Sequence, residues 1–292
     1  MEELKNFKYN SLVFIKIVVF IIATILFQRI ALIPLSIISK TYWSQYDGRG
    51  LNEPWFISSG LVLFLAALAV CFVFLKYVEK RQFSYLRVIA FNYKKYLATG
   101  ILFSFILVFL FTLLNIILGN TRLAIIYSSF TTTLFYIVLL GVGIFAPVLY
   151  EELVYRGYVL KTLETRFSAI TAVVISSLLF SAAHFLRPDP SFLTFVNIFL
   201  AGALLSICCI RYNSLWLPIG LHFGWNYFLW IFNYPISHQR WTNPILKLNY
   251  KEHNLITGSE FGPESSLILT FIFIVLIGYL FYPLCGIKRE HV

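Results

Sequence analysis

The sequence predicts an all-α fold, a polytopic transmembrane helical bundle of about eight spans, and three observations predict it. Of the 292 residues 59% are apolar and only 12% charged, where soluble domains average about a quarter charged residues. Apolar runs of about 20 residues, long enough to cross a hydrocarbon core of roughly 30 Å, recur along the whole chain. Basic residues gather at the ends of those runs, as in proteins oriented by the positive-inside rule.

The runs lie near 12–36, 56–78, 97–118, 128–157, 168–186, 191–210, 214–233 and 265–284. Lys5 and Lys8 precede the first run in the manner of a secretory signal. That run is too long and lacks a small-residue cleavage site, so it reads as an uncleaved span. The first three runs hold few polar residues apart from Lys16 and Arg29 and read as scaffold. Ionisable residues inside apolar runs then concentrate between 151 and 226, where they must pair, line a cavity or do chemistry. A polar stretch from Tyr234 to Pro263 is longer than compact connections usually are, and reads as either a lid or a tether. No linker or repeat divides the chain, which is expected to form a single transmembrane domain, 1–292.

Leaving out Lys16, Arg29 and Arg156 as lying within spans, the other 20 of the 23 Lys and Arg divide as 13 on the amino-terminal side and 7 on the other. Both termini are therefore expected in the cytoplasm of a bacterial cell membrane. Because the net charge of +10 sits at span ends, its partner is expected to be membrane lipid and not nucleic acid. The densest basic cluster, Glu79 to Tyr96, suits anionic headgroups. Cys71, Cys208, Cys209 and Cys285 fall in or beside apolar runs without metal or disulfide spacing, and read as free buried thiols.

Within FAPVLYEELVYRG, Arg156 follows Glu152 by four residues, one helical turn, so the two can pair while Glu151, about 100° round, points elsewhere. Pro147 is expected to kink this helix, and a restart there would put Glu151 near positive helix-terminus potential. His184 closes the run LLFSAAHF. The midpoint between 151 and 184 is the polar stretch around Phe167 and Ser168, so a helical hairpin brings Glu151 and His184 to one depth, about 24 Å of helix from the turn. Since Lys161, Glu164 and Arg166 would leave the hydrocarbon, the site is expected nearer the cytoplasmic side than the hairpin length alone implies. His222 and Asn226, in LPIGLHFGWNYF, share a helix face, and Gly220 and Gly224 allow the close approach that a three-helix site needs. A carboxylate, two imidazoles and a carboxamide in a water-poor cavity suit hydrolysis. The carboxylate takes a proton from water, and the donors stabilise an oxyanion.

These runs resemble, in order and type, the three motifs of the CAAX prenyl endopeptidase and bacteriocin-processing or bacteriocin-immunity family, called CPBP or Abi. Glu151 to Arg156 corresponds to EExxxR, Phe180 to His184 to FxxxH, and His222 to Asn226 to HxxxN. The resemblance covers roughly 130–233 and implies an intramembrane endopeptidase with that stretch as catalytic core. It implies that Glu151 and His184 hold the attacking water, that His222 and Asn226 bind the oxyanion, and that Glu152 and Arg156 support them. The substrate would be a membrane-associated peptide or a membrane-protein precursor.

Other intramembrane peptidase plans fit poorly: the chain has no HExxH helix and no GxGD pair. The resembled family is called a metalloprotease family, and Glu151, His184 and His222 could form a three-ligand zinc site. Asn226 suits an oxyanion donor better than a zinc ligand, which favours no catalytic metal. Two further readings stay open: a non-catalytic immunity or regulatory protein binding a partner in the same groove, and a proton-relaying transporter.

Overall fold

The computed structural model of the chain describes residues 2–42, 53–125, 129–185, 191–237, 244–250, 254–258 and 260–281. Among them, helices α1 (Glu2–Tyr42), α2 (Glu53–Val73), α3 (Tyr93–Ile117), α4 (Phe130–Glu152), α5 (Leu160–Glu164), α6 (Ala169–His184), α7 (Phe192–Tyr212), α8 (Trp216–Ile231) and α9 (Leu267–Phe281) follow one another. A π-helical stretch, Leu153–Val159, joins α4 to α5 into one rod, so the nine helices make eight rods, one for each apolar run. Five rods are long and apolar enough to cross a membrane, and α6 and α9 are shorter apolar helices. Large apolar side chains such as Phe130, Phe192 and Phe271 point outwards. This is the inversion expected where lipid is the solvent.

Local chemistry fixes the helix ends. Ser129, Ser168 and Ser191 each accept a hydrogen bond from the backbone N–H three residues on, and so cap α4, α6 and α7. At the far end of α7, Asn213 adopts φ +46 and turns the chain into α8. The 165–168 turn closes the hairpin between α5 and α6 where the polar KTLETRFS stretch predicts it, with Phe167 N–H donating to Leu163 O at 2.9 Å.

Pro147 does not restart a helix. Helix α4 runs through it to Glu152 and on into the π-helical stretch, which leaves Glu151 inside a continuous rod without the favourable N-terminal potential. Pro147 cannot donate to the Gly143 carbonyl one turn back. Helix α2 packs against this step through Gly60, where a Cβ would stand 2.9 Å from the proline ring.

Helices α3 and α8 pack closely along a glycine seam. A Cβ on Gly100 would meet Leu221 N at 2.6 Å, one on Gly224 would meet Ile101 Cα at 2.9 Å, and one on Gly220 would collide with Leu97 O. Gly220 and Gly224 thus admit α3, a helix read as scaffold, and do not face the other site helices. Ser104 Oγ closes the seam by donating to Leu221 O at 2.6 Å.

The two ends of the bundle differ. At one end Arg87 joins three connections: its guanidinium reaches Asn213 Oδ1 at 2.8 Å and Glu164 Oε1 at 3.0 Å, and its carbonyl accepts from Leu215 N–H at 3.1 Å. Lys16 pairs with Glu79 at 3.0 Å near the same end. At the other end β1 (Thr121–Ile125) and β2 (Leu246–Tyr250) pair antiparallel. This two-stranded ladder lies outside the helical expectation, and it anchors part of the long Tyr234 to Pro263 connection. A second part of the connection folds back on α9, where Leu267 N–H donates to Leu255 O at 2.9 Å and Ser266 Oγ to Ile256 O at 2.6 Å. Of the four cysteines, Cys71, Cys208 and Cys209 are free and buried, and Cys285 lies outside the described residues.

Candidate active site

Adjacent residues on a helix diverge by about 100°, and Glu151 and Glu152 separate accordingly. Glu152 and Arg156 are both fully buried and form an ion pair, Arg156 Nη1 to Glu152 Oε1 at 2.8 Å. Glu151, 9% exposed, faces a cavity instead. The residues after Glu152 are π-helical and not α-helical as the spacing argument assumes. The wider turn keeps the pair in register, and such insertions are frequent at functional sites.

The structure brings Glu151, His184 and His222 together. Glu151 Oε2 lies 3.9 Å from His184 Nε2 and 3.8 Å from His222 Nε2. Each imidazole is held by its other nitrogen. His184 Nδ1 donates to the Phe180 carbonyl at 2.9 Å, an oxygen that can only accept. His222 Nδ1 lies 2.9 Å from Glu152 Oε1, so the carboxylate that pairs with Arg156 also orients this ring. With Nδ1 carrying the proton on both rings, the two Nε2 atoms turn lone pairs towards the Glu151 carboxylate. Three acceptors then converge at distances too long for direct hydrogen bonds. One water donating a proton to each of two of them fits this geometry.

Phe180 holds the arrangement together. The Arg156 guanidinium lies 4.1 Å over its ring, and the rings of Tyr155, His184 and His222 surround it at 5.2, 4.6 and 6.0 Å. Desolvated guanidinium–ring contacts of this kind stabilise by about 2 kcal/mol. Gly202 of α7 completes the support. Its carbonyl accepts from Arg156 Nη2 at 3.3 Å, and its missing Cβ leaves room for Ser177 and Phe180. Sequence reasoning missed Gly202 and gave Phe180 no role beyond its motif position.

The cavity measures about 120 Å³ and is mainly apolar, with Glu151, His184, His222 and Asn226 on its wall. Asn226 makes no side-chain hydrogen bond among the described residues, so its carboxamide is free to meet a ligand. Phe56 of α2, with Ser104 and Leu107 of α3, also lines the wall, so two helices read as scaffold contribute to it. The cavity extends towards Ile236, Ser237 and Glu264, at the end remote from Arg87. Helix α6 has 16 residues and ends at His184.

Zinc ligands at 2.0 to 2.2 Å in a tetrahedron stand about 3.4 Å apart, and the observed separations of Glu151 from His222 and His184 are 3.8 and 3.9 Å. Among the described residues no group of three His, Cys, Asp or Glu is arranged to hold a metal ion. As placed, these separations exceed the tetrahedral spacing by about 0.4 to 0.5 Å.

Comparison with known proteins agrees with the motif reading. An 86-residue stretch, 29% of the chain, is 38% identical to a protein of Escherichia coli described as "Uncharacterized 24.3 kDa protein". The match spans 38% of that relative's length. Residues 132–228, about a third of the chain and the stretch that carries all three motifs, match the family described as type II CAAX prenyl endopeptidase Rce1-like.

Proposed function

We propose that the chain is an intramembrane endopeptidase that hydrolyses a peptide bond of a membrane-associated peptide or protein, with 130–233 as catalytic core of a single transmembrane domain. The observation that carries this reading is the convergence of Glu151 Oε2 with the Nε2 atoms of His184 and His222 on one largely apolar cavity.

In this mechanism a water sits between Glu151 and His184. Glu151 takes its proton as the oxygen attacks the carbonyl carbon, and later delivers that proton to the leaving amine. His222 donates to the developing oxyanion from Nε2 after taking up a second proton there from solvent, while its Nδ1 stays on Glu152 Oε1. Asn226 supplies a neutral donor beside it. Arg156 and Phe180 hold Glu152 and both rings in place. The apolar wall keeps bulk water from the oxyanion, so these hydrogen bonds act at low dielectric.

The test compares the membrane peptidome of cells expressing the chain with that of cells expressing Glu151→Gln at equal levels. Peptides that appear only with the unaltered chain are expected. Identical peptidomes would remove the peptidase reading in favour of a partner-binding groove.

A further inference from the structure

A second polar concavity lies at the opposite, basic end of the bundle. Its wall includes Lys80, Arg81, Tyr85, Arg87, Lys161 and Asn213. The floor is built rigidly. Arg87 is buried, its guanidinium forks onto Glu164 at 2.8 and 3.0 Å, and its Nε reaches Asn213 Oδ1 at 2.8 Å. Lys80, Arg87 and Asn213 all adopt left-handed backbone conformations, with φ of 53, 60 and 46. Each is the C-cap of the helix before it, so three helix ends meet at this concavity.

The charge there is not balanced. Glu164 is taken by Arg87, and Glu79 by Lys16 at 3.0 Å and by the Tyr158 hydroxyl at 3.0 Å. Lys80, Arg81 and Lys161 have no carboxylate partner among the described residues. Lys161 Nζ and Arg81 Cζ both lie near the Tyr85 ring, at 5.6 and 5.9 Å from its centre, so two of these cations share one anchor. A neighbouring groove shares Lys80, Arg81 and Gln82 and continues along Phe72, Leu75 and Phe83, with Lys76 on its rim. Phe72 is one of the outward-facing side chains of α2, so the groove leads from a lipid-facing surface to the three cations.

We propose that this end of the protein binds a single anionic phospholipid, with its phosphate among Lys80, Arg81 and Lys161 and an acyl chain along Phe72, Leu75 and Phe83. Three uncompensated cations suit a phosphate oxygen cluster. The apolar groove leading into them favours a lipid over a soluble phosphate. The site is independent of peptide hydrolysis and lies at the other end of the bundle from the extension of the active-site cavity.

The purified full chain in mild detergent is titrated with phosphatidylglycerol or phosphatidylcholine of equal chain length, and bound lipid is counted by native mass spectrometry. Phosphatidylglycerol is expected to bind preferentially. Arg81→Gln and Lys161→Gln are each expected to weaken it about fivefold, and Lys161→Arg to restore it. The double variant Lys94→Gln/Lys95→Gln removes two exposed cations at the start of α3, outside the concavity, and is expected to leave binding unchanged. Equal binding of the two lipids, or an equal loss in the Lys94/Lys95 variant, would overturn the site in favour of a diffuse positive field. Displacement of the lipid by an equal concentration of inorganic phosphate would assign the concavity to soluble phosphate and overturn the lipid reading.

Discussion

Glu152 Oε1 lies 2.9 Å from His222 Nδ1 and, at 2.8 Å, is also the oxygen that pairs with Arg156, so one buried atom links the structural ion pair to the imidazole beside Glu151. Glu152→Gln keeps the shape but leaves the Arg156 charge uncompensated. Breaking a buried pair by removing one partner costs about 3–5 kcal/mol. A large fall in melting temperature and in turnover is expected. Adding Arg156→Met removes the stranded charge, so the double variant should regain stability while turnover stays low, because His222 still lacks a charged acceptor. Recovery of turnover together with stability would show that Glu152 serves folding alone.

The seam between α3 and α8 sets where His222 stands. Gly220 has no room for a Cβ beside Leu97 O, and Gly224 has little beside Ile101. Gly220→Ala must push α8 away from α3, and overpacking of this kind destabilises by about 1–3 kcal/mol. Because His222 is two residues on, turnover of the surviving protein is expected to fall as well. Gly278→Ala on α9, where a Cβ would meet nothing within 4 Å, is the control and should leave both measurements unchanged.

Local spacing made much of this legible. The apolar runs foretell the eight rods, the four-residue interval foretells the Glu152–Arg156 pair, and the polar turn midway between 151 and 184 foretells that Glu151 and His184 meet. What stayed hidden depends on contacts between distant segments. No periodicity distinguishes the π-helical Leu153–Val159 from an α-helix, or tells which helix Gly220 faces. The second role of Glu152 needs α8 beside α4 before it can be seen.

Membrane orientation follows from the basic end. If the positive-inside rule applies, the face bearing Lys80, Arg81 and Arg87 is cytoplasmic, and the cavity extends towards the other side. In a cysteine-free background, Ser129→Cys at the start of α4 should react with an impermeant maleimide in intact cells, and Ser84→Cys only after lysis. Both positions are exposed in the fold. The opposite pattern would invert the chain in the membrane.

Activation of water by Glu151 without zinc makes a separate prediction. Thorough chelation should leave turnover nearly intact, and elemental analysis of active protein should find well below one metal per chain. Stoichiometric zinc that disappears together with activity in His184→Ala would mean that Glu151, His184 and His222 draw in by a few tenths of an ångström to the tetrahedral separations of about 3.4 Å. The mechanism would then need rewriting around the ion.

Asn226 offers the sharpest division between chemistry and packing. It lies one turn beyond His222, lines the same cavity and makes no side-chain hydrogen bond among the described residues, so its removal breaks no bond in the resting fold. As an oxyanion donor its hydrogen bond strengthens as charge develops on the substrate carbonyl. Asn226→Ala should then lower turnover by about 10² to 10³ with substrate affinity little changed. Were Asn226 a packing residue, the same change would lower the melting temperature through a lost interhelical hydrogen bond, about 1 kcal/mol or less in a membrane bundle, and leave turnover near normal. Asn226→Asp presses the distinction further, because it keeps the size and sets a carboxylate against the forming oxyanion. Turnover should fall at least as far as in Asn226→Ala while the fold is kept. Melting temperature and turnover measured on the same purified Asn226→Ala sample decide the matter, since a clear loss of stability with normal turnover would take Asn226 out of the reaction.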